Sequence, residues 1–231
     1  MVKLIVSSAT YQQRAFVSEE LLEKDPYNQL YARGPRVRLS AEQIRDQALQ
    51  VSSLLNPSMY GPPVMPYQPD GIWQSPYGSD KWIESEKEDQ YRRAIYTFIK
   101  RTAPYPSMET FDVAPRNVCV SRRIRTNTPL QALVTLNDPV FVETSKHLAL
   151  QMHQIGSIEK QIQKGYELAI GQTIEPAKQQ VFVQLYQDML KDYQKAPEEA
   201  KALVGSTNSS ELAALTVVAN AIMNLDVFLM K

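Results

Sequence analysis

Residues 56 to 79 restrict the fold more than any other stretch, because prolines and glycines recur through it among aromatic side chains: Tyr60, Gly61-Pro62-Pro63, Pro66-Tyr67, Pro69, Gly71, Trp73 and Pro76-Tyr77. Proline lacks an amide donor and fixes φ, so this stretch is neither a helix nor a central strand. It must be an extended arm or a long loop, and its aromatics argue against simple disorder. Two readings are open. Tyr60, Tyr67 and Trp73 on a stiff backbone suit stacking against sugar rings, or the same aromatics strap the arm to the protein's own core.

The arm divides a short helical part from a long one. Residues 2–16 read as a helix with apolar positions at Leu4, Ile5, Ala9 and Phe16, but no capping residue precedes it, so the chain is expected to begin inside an element. Residues 18 to 39 look irregular, with Asp25-Pro26 and Gly34-Pro35 as turns. The helix over 40–55 is clearly written. Ser40 is its N-cap, Gln43 completes a capping box, Leu39 and Ile44 form a staple, and Asn56-Pro57 stops it.

Between residues 91 and 133 lies a motif-rich centre. Ala94-Ile95-Tyr96-Thr97-Phe98-Ile99 and Val118-Cys119-Val120 have the β-branched and aromatic character of strands, which suggests a small two-stranded element; Cys119 between valines suggests a buried thiol. Arg122, Arg123 and Arg125 then run into a helix start at Thr128-Pro129, with Gln131 placed to close a second capping box. Guanidinium groups beside a helix N-terminus make a plausible anion site, which nominates Arg122, Arg123, Arg125, Asn127 and Thr128. Alternatively the arginines pair with internal carboxylates such as Glu109, Asp112 or Asp138.

From Thr128 onward the chain is helical. Helices are expected over about 129–136, from Pro139 to about Gly156, over 158–170 stopped by Gly171, and from Pro176 with Val181, Leu185, Tyr186, Met189 and Tyr193 inward. A short piece follows Pro197, and a last helix after Ser209 is apolar on most sides and therefore buried. The fold class is mainly α: a helical bundle over 128–231 with the Pro/Gly-rich arm, in a single domain spanning 1–231.

The chemistry is less explicit. Lys plus Arg and Asp plus Glu number 25 each, so no overall field favours nucleic acid. The single cysteine excludes an internal disulfide framework, His147 and His153 fall on different faces of one helix, and no run is long enough for a membrane span. Metal: none is expected, nor a cofactor in this chain. Glu109, Asp112 and Asp138 could serve as acid and base for glycan chemistry, a mechanism that turns on their separation.

Several blocks together carry a family resemblance: 38–46 (RLSAEQIRD), Gly61-Pro62-Pro63-Val64 with Pro66-Tyr67-Gln68-Pro69, Tyr91-Arg92-Arg93, 100–104 (KRTAP), Phe111-Asp112, and 125–133 (RTNTPLQAL) with Asn137-Asp138-Pro139. They resemble the C-terminal domain of unknown function, DUF1553, of large planctomycete and Bacteroidetes proteins. The resemblance implies export to the periplasm or cell exterior, an upstream cytochrome c-type module carrying the haem, and a link with polysaccharide or sulfated-glycan breakdown. It supplies no catalytic residues. Asn117 and Ile99 depart from the pattern, which often has an acid and a tryptophan there. With no signal peptide in it, this chain would be cytoplasmic if complete, and otherwise a piece of a larger protein. Function classes therefore expected are an anion- or glycan-binding envelope module, a glycan-active enzyme or its partner, or a docking domain for the cytochrome module.

Overall fold

The structure, a computed structural model, describes residues 1–15, 17–69, 71, 81–101, 104–114, 116, 118–205 and 209–230. The chain forms two compact units, one of residues 1–39 with 230–231 and one of residues 40–229.

The first unit holds two short helices, α1 (Val2–Val6) and α2 (Glu19–Lys24). The expected helix over 2–16 breaks off after Val6 into turns, since its residues bury nothing, no side chain caps its start, and the Ser7 and Ser8 hydroxyls donate back to the Lys3 and Ile5 carbonyls; Phe16 lies outside the described residues. The stretch from 18 to 39 is irregular only beyond Lys24, because Ser18 accepts from the Leu21 amide and starts α2. Asp25 then receives the Gln29 and Leu30 amides at 2.8 Å each and fixes the turn that follows.

In the second unit α3 (Ala41–Val51) has the anticipated capping box, Ser40 Oγ accepting from the Gln43 amide and Gln43 Oε1 from the Ser40 amide. The helix stops at Val51, short of residue 55, where the Leu54 and Leu55 amides turn back onto the Leu49 carbonyl. After the arm come single 3₁₀ turns at Lys87–Tyr91 and Ala94–Tyr96, then α4 (Pro106–Thr110), α5 (Pro129–Asn137), α6 (Pro139–His153), α7 (Ile158–Ile170), α8 (Pro176–Lys195), α9 (Pro197–Val204), α10 (Ser210–Met223) and α11 (Asp226–Leu229). The mainly helical class is correct.

The two-stranded element is not. Residues 94–96 close a 3₁₀ turn, and 118–120 lie exposed and irregular. What the β-branched run does instead is hold the arm: Val64 pairs with Thr97 and Asn56 with Arg92 in isolated parallel bridges. Each has only one or two ladder hydrogen bonds, too few to make a sheet.

α10 is the axis of the bundle. Leu212, Ala213, Leu215, Val218, Ala219, Ile222 and Met223 are all essentially buried, and α5 to α9 pack around them. Tight approach matters at the α6–α7 contact, where a Cβ on Gly165 would meet Met152 Sδ at 2.5 Å. Gly171 closes α7 in the left-handed conformation, as its position implies. On α8 the buried residue is Phe182 and Val181 faces out, whereas Leu185, Tyr186, Met189 and Tyr193 are half-buried on the expected stripe.

Candidate functional site

The centre of the second unit is organised by buried arginines that bind backbone rather than carboxylates. Arg92 donates to the carbonyls of Pro62, Ser58 and Tyr60 and lies with its guanidinium carbon 4.0 Å from the Tyr96 ring centre. Three carbonyls on one guanidinium fold the start of the arm into a tight loop, which Tyr60 and Gly61 enter with positive φ. Farther along, Trp82 donates to the Pro66 carbonyl at 2.9 Å and stacks on Tyr105, whose hydroxyl donates to the Tyr67 carbonyl at 2.7 Å. The described part of the arm is thus strapped to its own core. Tyr60 and Tyr67 are exposed on it, while Trp73 lies outside the described residues.

Arg45, on α3, is the second buried arginine. Its Nη1 donates to the Arg92 carbonyl at 3.2 Å and its Nη2 to the Gln90 carbonyl at 2.7 Å, with the Tyr105 side chain beside it. Beside it is a cavity of about 10 Å³ lined by Ala41, Tyr105, Ser107, Phe111, Asp138 and Val140 among others. Burial pushes the Tyr105 hydroxyl up to about 12, and burial likewise raises the Asp138 carboxyl. Asp138 receives the Val140 amide at 2.9 Å and caps α6, as its place before Pro139 implies.

Of the five nominated anion-site residues, Arg123 and Thr128 are tied into the protein's own hydrogen bonds. Arg123 Nη1 donates to both carboxylate oxygens of Glu42, at 2.9 and 2.7 Å, a partner outside the carboxylates its sequence neighbourhood suggested. Burial resists ionisation of Glu42, but the Arg123 hydrogen bonds, with help from its own amide and Ser40, outweigh it and hold the carboxyl below its usual range. Arg122, Arg125 and Asn127 are exposed, and Thr128 is half-buried as the N-cap of α5, accepting from the Gln131 amide at 3.4 Å. The second half of the capping box does not form. Gln131 turns inward, and its Nε2 donates to the Thr110 carbonyl at 3.0 Å, Thr126 Oγ1 at 3.1 Å and Asp112 Oδ2 at 3.3 Å. Asp112 Oδ2 also receives the Thr126 amide at 2.7 Å and its hydroxyl at 2.8 Å. Of the acid and base candidates, therefore, Asp112 is committed to this knot, Asp138 lines the cavity, and Glu109 is exposed.

Sequence reading missed the most unusual face. On α5 the buried residues are Gln131 and Thr135, 1% and 2% exposed, whereas Leu130, Leu133 and Leu136 are 58%, 55% and 41% exposed. The helix is inside out. Thr135 is held by the Asn224 side chain, and Asn220 Nδ2 donates to the Thr135 carbonyl and to Ser145 Oγ at 3.1 Å each. Polar partners on α4, in the segment ahead of α5 and at the end of α10 thus claim one side of α5 and leave its leucines facing outward. The preceding segment adds exposed Val118, Val120 and Ile124. Cys119 is exposed there as well, not buried between its valines, because no strand forms to cover it.

A mainly helical domain with a strapped proline arm and an arginine-rich corner is the class these features define. Residues 1–186 match the model of the PSD1 family of proteins of unknown function, DUF1553, and the chain belongs to that family. No curated protein and no solved structure matches it.

Proposed function

We propose that the chain is a docking module of a larger protein, and that its contact face is the leucine side of α5 together with the Val118 to Ile124 segment. The observation that carries this is the inversion of α5: three leucines outside, with the Gln131 amide nitrogen and Thr135 hydrogen-bonded within. Burying a leucine is worth about 1.5–3 kcal/mol, so a helix that exposes three of them on one side leaves a large driving force for a partner. Exposed apolar surface rimmed by polar residues is the usual signature of such a site. Here the rim is basic, with Arg116, Arg122 and Arg125 exposed beside the apolar residues. The partner therefore has an apolar face with an acidic border. A cytochrome c-type module upstream in the same envelope protein, implied by the family resemblance, is the first partner to try; an anionic glycan reaching Arg122 and Asn127 is a narrower form of the same recognition.

Glycan chemistry on Glu109, Asp112 and Asp138 has less support. Asp112 already accepts three hydrogen bonds, and the cavity that Asp138 lines has room for about one water, not a sugar ring.

The test is a calorimetric titration of the chain with the separately produced upstream module. Leu133→Ser should weaken binding at least about tenfold, with unchanged circular dichroism, and added salt should weaken it further. Undiminished binding by Leu133→Ser would remove the leucine face from the proposal. A thermal-shift series with sulfate and uronic acids covers the narrower form: stabilisation lost in Arg122→Ala would place the recognition on the anion alone.

A further inference from the structure

We propose that the Arg123–Glu42 ion pair is a latch that orders the exposed segment 118–124, and so presets the part of the docking face that this segment supplies. Only the second half of that inference rests on the docking reading above.

The segment is anchored on both sides by the body of the unit. Ahead of it the Val113 amide donates to the Met108 carbonyl of α4 at 3.0 Å, and behind it Asp112 accepts from the amide and hydroxyl of Thr126. Between the anchors little holds it. Val118, Val120 and Ile124 are 67%, 47% and 80% exposed, so apolar burial does not fix its course. Among the described residues from Val118 to Ile124, Arg123 alone makes hydrogen bonds. Chain entropy opposes order at every residue, so a solvated stretch of this kind keeps one shape only through its ties.

Arg123 has no carboxylate nearby in the sequence, because residues 113–137 hold four arginines and no acid. Its counter-charge comes from Glu42, in the first turn of α3, with the two side chains 34% and 20% exposed. The helix side of the pair is rigid, since α3 is fixed through Arg45 to the Gln90 and Arg92 carbonyls. The segment is therefore the part that moves when the pair opens. Glu42 and Arg123 act as positioning residues: they set the fraction of molecules in which the segment is already shaped for a partner, and apparent affinity scales with that fraction.

Cys119, the chain's single cysteine, is exposed on the segment and supplies the readout. A nitroxide attached there in the whole chain should show mainly a slow component. Glu42→Gln should raise the ratio of mobile to slow component about two- to fivefold, the range of a partly exposed ion pair, with unchanged circular dichroism. Arg123→Gln should do the same, and the double variant no more than either single one. Unchanged spectra in both single variants would overturn the latch. A larger change in the double variant would overturn it too, since the two residues would then act on the segment separately. Titration with the upstream module tests the other half: a Kd that rises in step with the mobile fraction in Glu42→Gln supports it, and a mobile segment with unchanged Kd removes the segment from the docking face while the latch stands.

Discussion

α10 and α5 are both rich in apolar residues, pack against one another, and have opposite fates. α10 buries Leu212, Leu215, Val218 and Ile222 on every side, whereas α5 buries a glutamine and a threonine and turns its leucines out. The contrast shows that apolar content does not choose the inner face by itself. On α5 that choice is made by a polar set already in place: the Thr110 carbonyl, Asp112 and Thr126 accept from Gln131, Asn224 accepts from the Thr135 hydroxyl, and Asn220 donates to the Thr135 carbonyl. Buried polar groups need partners more urgently than leucines need cover.

Matched truncations would break the comparison most visibly. Leu215→Ala should lower the unfolding free energy by about 2–5 kcal/mol in a denaturant titration, because it opens a cavity in a fully packed helix. Leu133→Ala should stay within about 0.5 kcal/mol of the parent chain. Comparable losses from the two would mean that the leucine face is covered within the chain itself. Next in size comes Gln131→Leu, which inverts the normal expectation for a core position. It leaves Asp112 and the Thr110 carbonyl short of a donor, and should destabilise by about 1–3 kcal/mol in the same titration; a stabilising result would show that the polar knot does not direct α5.

The bundle could be read from the sequence because its signals are local. Pro129, Pro139, Pro176 and Pro197 each open a helix, Gly171 ends one, and the all-round apolar pattern after Ser209 announces a buried axis. The arginine clamp and the knot could not, because their partners come from other segments of the chain: Arg45 meets Gln90 across 45 positions, and Gln131 meets Thr110 across 21. The same distance explains the errors. Gln131 suits a capping box by spacing, yet Asp112 and Thr110, brought in from α4, compete for its amide. Residues 94–99 have strand-forming side chains, but with no second strand to pair with they close a 3₁₀ turn and give Val64 a bridge. Cys119 follows from that, since without a strand its valine neighbours lie open. One signal for the inversion was available: Gln131 and Thr135 stand four residues apart on one face, between the leucines.

The smallest expected effects distinguish the two ends of α5 by sign. Glu42, which grips Arg123 ahead of the helix, has its carboxyl held below the usual 4.5, so its contribution is present above that value and is lost as pH falls through the folded pKa. Asp138, at the other end, is raised above 3.8 by burial; its folded form holds the proton more tightly, so stability is lost as pH rises from 3.8 through the folded pKa. Glu42→Gln should therefore cost about 1 kcal/mol near neutrality, the scale of a partly exposed ion pair, and flatten the acid limb of a melting-temperature profile. Asp138→Asn, which keeps a good N-cap, should change stability less and remove the opposing slope above 3.8. Identical profiles for the two variants would show that both carboxylates titrate as solvent-exposed groups, and that the knot ahead of α5 and the corner behind it are electrostatically alike.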